Sequence, residues 1–158
     1  MKVYRHDFKP LIDKNSRVLI LGSFPSVKSR EEGFYYGHPQ NRFWKLMAIL
    51  LSEEIPISID EKRKLILNNH LALYDAAEEA SIKGSLDSNL KVLKFSNIME
   101  LIDGYQIEKI FCNGSKSHQI VTKNLGLKAV KLPSTSAANA KYSLDRLIEE
   151  WKIILEYI

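Results

Sequence analysis

Cysteine is almost absent from this sequence of 158 residues, in which Cys112 is the single cysteine. One thiol cannot form an intrachain disulfide, and it cannot hold an iron–sulfur cluster or a structural zinc ion. The sequence also has no histidines and carboxylates at the spacing of a metal site. We therefore expect chemistry that needs no metal and no other cofactor, and we expect Cys112 to be a buried strand residue.

Long apolar runs are missing as well. Residues 46–51 form too short a run for a membrane helix, and the charged N-terminus lacks the apolar core of a signal peptide. The 23 Lys and Arg residues exceed the 19 Asp and Glu residues only modestly, so the formal net charge is +4. This balance permits a polyanionic partner such as nucleic acid without requiring one. We expect a soluble, cytoplasmic protein without a membrane partner.

Short apolar runs alternate with helical segments along the chain. The runs predict strands at 17–22, 71–74, 109–112 and 128–132, and the helical spacing predicts helices at 42–51, 60–69, 97–104 and 116–125. Ser143 can cap a last amphipathic helix that extends to Ile158. The pattern predicts a single domain over residues 1–158 with an α/β fold, a three-layer sandwich in which helices flank a mostly parallel, four-stranded sheet.

Ligand sites in such sheets lie beyond the carboxyl ends of the strands. The first predicted strand leads into Gly22-Ser-Phe-Pro-Ser26, then past Phe34-Tyr35-Tyr36 into His38-Pro-Gln-Asn-Arg-Phe-Trp44. The last strand leads into Leu132-Pro-Ser-Thr-Ser136. Aromatic faces can stack on a nucleobase, and hydroxyls and backbone N–H groups at the start of a helix suit phosphate. These segments indicate a nucleic-acid ligand.

The same segments resemble the signature segments of the uracil-DNA glycosylase superfamily, and they are most similar to its hypoxanthine-DNA glycosylase branch. Gly84-Ser-Leu-Asp-Ser88 and Phe111-Cys-Asn-Gly114 resemble that branch too, so the likeness spans nearly the whole chain. The resemblance implies a uracil-DNA glycosylase-like fold and a monofunctional DNA glycosylase. Such an enzyme hydrolyses the N-glycosidic bond of a flipped-out, deaminated nucleotide and leaves an abasic site. We expect hypoxanthine as the base, DNA as the partner, and a monomer that is nucleoid-associated when it acts.

The resemblance also implies site residues. In this branch the Asn of the His-Pro-x-Asn segment is catalytic, which carries over to Asn41, whose carbonyl oxygen we expect to orient a water molecule. The candidates for base binding, by stacking or by reading a base edge, are Ser23, Phe24, Tyr36 and Asp75. The candidates for DNA binding are Ser134, Thr135, Ser136 and Lys141.

Other interpretations stay open. Asn41 could be only a helix cap, and Asp75 only a turn residue. Phe24 stands where mismatch-specific uracil glycosylases have an Asn, and Leu132 stands where the uracil-specific branch has a His. These departures argue against a uracil-specific or mismatch-specific glycosylase, which remains the nearest alternative. The other alternative is a catalytically silent module that binds flipped or single-stranded bases.

Overall fold

Two β-sheets organise the part of the chain described by the computed structural model, which covers residues 2–83 and 89–158. The segment 84–88, which carries one of the family-like motifs, lies outside the described residues. The larger sheet has four parallel strands in the order β3-β2-β6-β7. Its strands are β2 (Val18–Gly22), β3 (Leu71–Asp75), β6 (Lys109–Asn113) and β7 (Val130–Leu132).

The central strands are apolar throughout because both faces of the sheet are covered. Every residue of β2 and of β3 is buried, which is the pattern of a strand packed between two layers. The helices are α1 (Val27–Glu32), α2 (Phe43–Leu50), α3 (Ile59–Leu67), α4 (Ile98–Ile102), α5 (Ser115–Gln119) and α6 (Leu144–Trp151). The predicted α/β sandwich with a parallel, four-stranded sheet is confirmed.

The helix ends follow capping rules that the sequence displays. Ser58 and Glu61 form a reciprocal capping box at the start of α3, and the Ser143 hydroxyl accepts the backbone N–H of Arg146 at the start of α6. In two of the predicted helices the α-helix gives way to another helix type towards the C-terminal end. A π-helical stretch, Ile120–Asn124, follows α5, and a 3-10 helix, Lys152–Glu156, follows α6.

The smaller sheet was not predicted from the sequence. It is antiparallel, in the order β1-β4-β5, and consists of β1 (Val3–Arg5), β4 (Ala77–Ile82) and β5 (Leu90–Phe95). After Ala76 the chain leaves the parallel sheet and enters β4. The backbone N–H of His6, just past β1, donates to the carbonyl oxygen of Glu78 at 2.8 Å. The N-terminus is thereby fixed beside the end of β3.

Cys112 lies in β6 with no exposed surface, as predicted. Burial raises the pKa of its thiol to about 11, so the thiolate is scarce at neutral pH and the residue is a poor nucleophile. Within the described ranges, none of the helices combines the length and apolar character that crossing a membrane requires.

Candidate functional site

A cavity of about 780 Å³ opens at the carboxyl ends of the parallel strands. Its walls come from the ends of β2, β3 and β6, from the segments that follow β2, and from the loop after β7. This is the position where open α/β sheets bind ligands. The cavity brings together all but one of the site residues predicted from the sequence: Ser23, Phe24, Tyr36, Asn41, Asp75, Ser134, Thr135 and Ser136. The exception, Lys141, lines an adjoining cavity of about 580 Å³ that shares Ser134 and Ser136.

Gly22 leaves room for two polar groups at the floor of the cavity. It pairs directly with Asp75 in the neighbouring strand. A Cβ atom on Gly22 would lie 2.4 Å from Asp75 Oδ1 and 3.3 Å from the Tyr36 hydroxyl oxygen. Both groups therefore occupy the space that a side chain at this position would fill.

The Asp75 carboxylate is bound by a residue that the sequence analysis missed. Its Oδ2 lies 2.8 Å from His6 Nε2, and the His6 side chain is fully buried. The His6 ring packs against Phe8 and Tyr74, with ring centroids 4.3 Å and 4.5 Å away. Since 69 positions separate His6 from Asp75, no local pattern in the sequence indicated this pair.

Tyr36 has an unusual backbone conformation and an unsatisfied hydroxyl. Its φ of 51° lies in the left-handed region, which is rare for a bulky residue and often marks a functional position. One face of the ring stacks on Phe43, with centroids 4.1 Å apart. The hydroxyl is buried, and no group among the described residues meets hydrogen-bond geometry with it, although the Asn113 side chain is near enough to lower the pKa of the phenol. Burial, and then the charge of Asp75, raise the pKa of this phenol, so it stays neutral and can donate a hydrogen bond.

The other predicted aromatic contacts belong to the core. Phe34 and Tyr35 are buried, and the Tyr35 hydroxyl donates to the carbonyl oxygen of Lys9 at 2.9 Å. The Phe24 side chain is also buried and packs with Ala77 and other residues beside the antiparallel sheet. Its burial makes Phe34 a core aromatic rather than a stacking surface. The base contact predicted for Phe24 can then involve only its backbone and the small rim of its ring.

Asn41 stands at one end of a directional chain of hydrogen bonds. Its Oδ1 accepts the backbone N–H of Phe43 at 3.0 Å and the Thr135 hydroxyl at 2.8 Å. The Thr135 hydroxyl oxygen in turn accepts from Asn113 Nδ2, and Asn113 Oδ1 accepts the backbone N–H of Thr135, both at 3.0 Å. Since a backbone N–H can only donate, these two bonds fix which amide atom is oxygen in each Asn.

The free polar group of Asn41 is therefore a donor. Its Oδ1 already accepts two hydrogen bonds, while Nδ2 makes none within the described part of the chain. The expectation that the carbonyl oxygen holds the water does not fit this geometry, because its acceptor sites are occupied. The alternative that Asn41 acts as a cap is partly right, since it bonds the first N–H of α2. What Asn41 presents to the cavity is an amide N–H.

The loop after β7 is held from the inside by Arg42. Its guanidinium donates to the carbonyl oxygens of Ser136, Asn139 and Tyr142 and, at a longer 3.4 Å, of Thr135. The sequence analysis did not predict this role of Arg42, because a lone Arg gives no sign of such partners. A planar fork of five donors suits several carbonyls at once.

The loop residues differ in what they offer to a ligand. Thr135 is fully buried, and its hydroxyl is bonded to both Asn41 and Asn113. The hydroxyls of Ser134 and Ser136 accept backbone N–H groups and keep their own hydrogens available. The helix α6 begins only at Leu144, so the loop does not open the helix directly, and the helix N-terminus is not part of this surface.

The sequence and the fold match those of known proteins. The family model of the uracil DNA glycosylase superfamily matches residues 9–156. A protein of Methanosarcina acetivorans named Hypoxanthine DNA glycosylase is 30% identical over 159 residues, covering 97% of this chain and 99% of that protein. A protein of the same name from Methanosarcina barkeri is 29% identical over 143 residues, covering 87% and 89%. A solution NMR structure of a putative uracil DNA glycosylase from M. acetivorans is 30% identical to this chain and has a TM-score of 0.81, and the match covers 97% of this chain and 96% of that one.

We predict that replacing Arg42 with Lys loosens residues 135–142. A lysine carries one compact ammonium group and cannot bond the same set of carbonyls. Backbone amides of this loop should exchange hydrogen faster, as measured by mass spectrometry of peptides spanning it. Arg30→Lys is the matched control, because the Arg30 guanidinium donates to a single carbonyl oxygen, that of Pro25, which lies outside this loop. Unchanged exchange in the Arg42 variant would contradict the role of Arg42.

Proposed function

Because the chain belongs to the uracil-DNA glycosylase superfamily and is a DNA glycosylase, we propose that the base it releases from DNA is hypoxanthine. The observation that carries the proposal is the pair of groups over Gly22. Asp75 Oδ1 is an acceptor, and the neutral Tyr36 hydroxyl is a donor for which the described residues supply no hydrogen-bond partner. The two relatives named Hypoxanthine DNA glycosylase support the same conclusion.

The pair over Gly22 complements the edge of a deaminated base. Hypoxanthine presents an N1–H donor beside the O6 acceptor, which matches a carboxylate acceptor beside a hydroxyl donor. Adenine presents the reverse order, an N1 acceptor beside an amino donor, so its N1 would face Asp75 without a hydrogen. An unpaired buried polar group is costly, and sites of this kind discriminate strongly. The base is read after it has been extruded from the duplex.

Asn41 supplies the catalytic hydrogen bond in this proposal. When the C1′–N bond breaks, its electron pair leaves with the base. Water provides the hydroxyl that C1′ gains, and the proton that water loses ends on the departed base. Negative charge therefore grows on the base, and a fixed donor aimed at it stabilises the transition state. Asn41 Nδ2 is held in place for this by the bonds that Oδ1 receives from Phe43 and Thr135.

The loop after β7 contacts the DNA backbone in this proposal. The hydroxyls of Ser134 and Ser136 retain hydrogens that can be donated to phosphate oxygens, and Lys141 is exposed beside them. Thr135 acts on the inner side of the loop through Asn41 rather than on the phosphate. One chain forms the whole cavity, so we propose that the enzyme acts as a monomer on nucleoid DNA in the cytoplasm.

Uracil is the second candidate base. It carries an N3–H donor beside the O4 acceptor, the same edge that Asp75 and Tyr36 favour. Hypoxanthine has two fused rings and uracil has one, so the choice between them depends on how large a base the cavity admits. A silent base-binding module would share the cavity and differ only in releasing nothing.

The substrate test uses duplex oligonucleotides that carry one deoxyinosine, deoxyuridine, deoxyxanthosine or deoxyadenosine. We expect abasic sites, revealed by alkali, to form fastest from deoxyinosine and not at all from deoxyadenosine. Release of uracil without hypoxanthine would assign the enzyme to the uracil alternative. Binding without any release would leave only the silent module.

We predict that replacing Asn41 with Asp slows base release by a factor of about 10² to 10³, the usual cost of losing one such donor. A carboxylate still accepts from Phe43 and Thr135, but the atom facing the cavity becomes an acceptor. Single-turnover rates and melting temperatures are measured together, with Asn41→Ala for comparison, where loss of the cap alone costs about 1 kcal/mol of stability. An Asp variant as fast as the wild type would mean that the residue activates water as a base, and the donor role would fail.

We predict that replacing Tyr36 with Phe slows base release at least tenfold without loss of stability. The variant keeps the stacking on Phe43 and removes a buried hydroxyl that has no hydrogen-bond partner in the described part of the chain, so unfolding should cost the same free energy or slightly more. Single-turnover kinetics and denaturant unfolding measure the two effects. If stability falls while the rate is unchanged, the hydroxyl is structural and does not bind the base.

A further inference from the structure

We propose that His6 is a positioning residue, which holds the Asp75 carboxylate as the acceptor that reads the N–H of the substrate base. The proposal rests on the proposed function, in which the base enters the cavity over Gly22. It assigns a role in base recognition to the N-terminal segment, which carries none of the family-like motifs.

The contact between the two side chains is short and shielded from solvent. His6 Nε2 lies 2.8 Å from Asp75 Oδ2, and the exposed fractions of the two side chains are 0% and 6%. A carboxylate oxygen only accepts, so the proton of the ring that faces it is on Nε2. The backbone carbonyl of Asp75 accepts the Ser96 hydroxyl at 2.8 Å. One oxygen of the carboxylate is thus committed to His6, and Oδ1 is left over Gly22, at the cavity.

The surroundings of His6 offer its ring no other hydrogen bond within the described part of the chain. Its Nδ1 is buried and has no hydrogen-bond partner among the described residues. The faces of the ring pack against Phe8 and Tyr74, and Tyr35 and Phe24 lie further out. A polar ring with a single polar contact in an aromatic box is costly to maintain for packing alone, since a phenyl ring would fill the space without burying a nitrogen. The bond to Asp75 is what distinguishes histidine here.

The bond matters because Asp75 lies in a poorly hydrated place. A buried carboxylate without partners is strongly disfavoured, and nothing else in the described structure bonds its Oδ2. Without His6 the carboxylate is free to turn about its last torsion, and its charge loses its only buried donor. With His6 the acceptor is already oriented before the base arrives, so that ordering it on binding costs little conformational entropy.

The feature that His6 and Asp75 read is the N–H beside a carbonyl that deamination creates. It is present in hypoxanthine, xanthine and uracil and absent from adenine and cytosine. The proposal therefore concerns the edge of the base and not its size. It can be tested with whichever of these bases the wild-type enzyme releases.

The test compares His6→Phe, which keeps the ring in its aromatic box, with His6→Gln, whose amide N–H reaches about as far from the backbone as Nε2. Single-turnover release is measured on duplexes with the released base, and affinity is measured on a duplex with an abasic-site analogue. We expect His6→Phe to slow release at least tenfold and His6→Gln to restore most of the rate. Affinity for the abasic duplex should not change, because it has no base edge to read.

Phe8→Leu is the matched control, since it alters the packing of the His6 ring without touching the bond to Asp75. Its release rate should stay within about twofold of the wild type. The proposal is overturned if His6→Phe releases the base at the wild-type rate, if His6→Gln is as slow as His6→Phe, or if Phe8→Leu is equally slow. Should His6→Phe fail to fold, His6→Asn takes its place, because its amide is one methylene shorter than that of Gln and stops short of Asp75. It should release the base at least tenfold more slowly than His6→Gln, and equal rates for the two variants would overturn the proposal. A wild-type enzyme that releases no base would instead refute the proposed function, and the role of His6 with it.

Discussion

The site depends on the register between β2 and β3, which sets Gly22 directly beside Asp75. Side chains of paired parallel strands project together, and a side chain at position 22 would displace the carboxylate that now lies there. The same empty space admits the hydroxyl of Tyr36, which arrives from a different segment in a left-handed backbone conformation. A recognition pair made from separate segments therefore requires one strand to end in a residue without a side chain.

Hydrogen-bond direction is the second constraint. Around Asn41, two backbone N–H groups decide the orientation of two amides, and the single hydroxyl hydrogen of Thr135 is left to complete the chain. Around Asp75, the N–H of His6 has the same effect on a carboxylate. Each functional group thus faces the cavity with a defined polarity, donor at Asn41 and acceptor at Asp75. Fixed polarity of this kind needs no reorganisation when charge develops on a departing base, which is why it favours the transition state.

The features that could be predicted from the sequence are those that depend on residues close together in the chain. Continuous apolar runs located the four strands of the parallel sheet, and the residues after them included Asn41 and Asp75. The antiparallel sheet was not predicted because β1 is only three residues long, and because β4, Ala77–Ile82, contains two Glu and two Ala residues, which are poor strand formers. His6 was missed with that sheet. The role of Arg42 was missed because its carbonyl partners are supplied by a loop about a hundred positions away, and backbone carbonyl groups are the same at every residue, so the sequence does not indicate them.

The loop after β7 shows why recognition must do much of the work of selection. The guanidinium of Arg42 gathers carbonyl oxygens of the loop, and Lys141 is the cation that the loop itself exposes. What remains on the outside is small: Ala137 and Ala138 are exposed between hydroxyl groups and bring no bulky side chain that could prise bases apart. A base can then enter the cavity only where its pairing is already weak, as it is for a deaminated base in a mismatch. Extrusion would favour any weakly paired base, damaged or not, so in the proposed function the distinction between hypoxanthine and a mispaired adenine falls to the acceptor at Asp75.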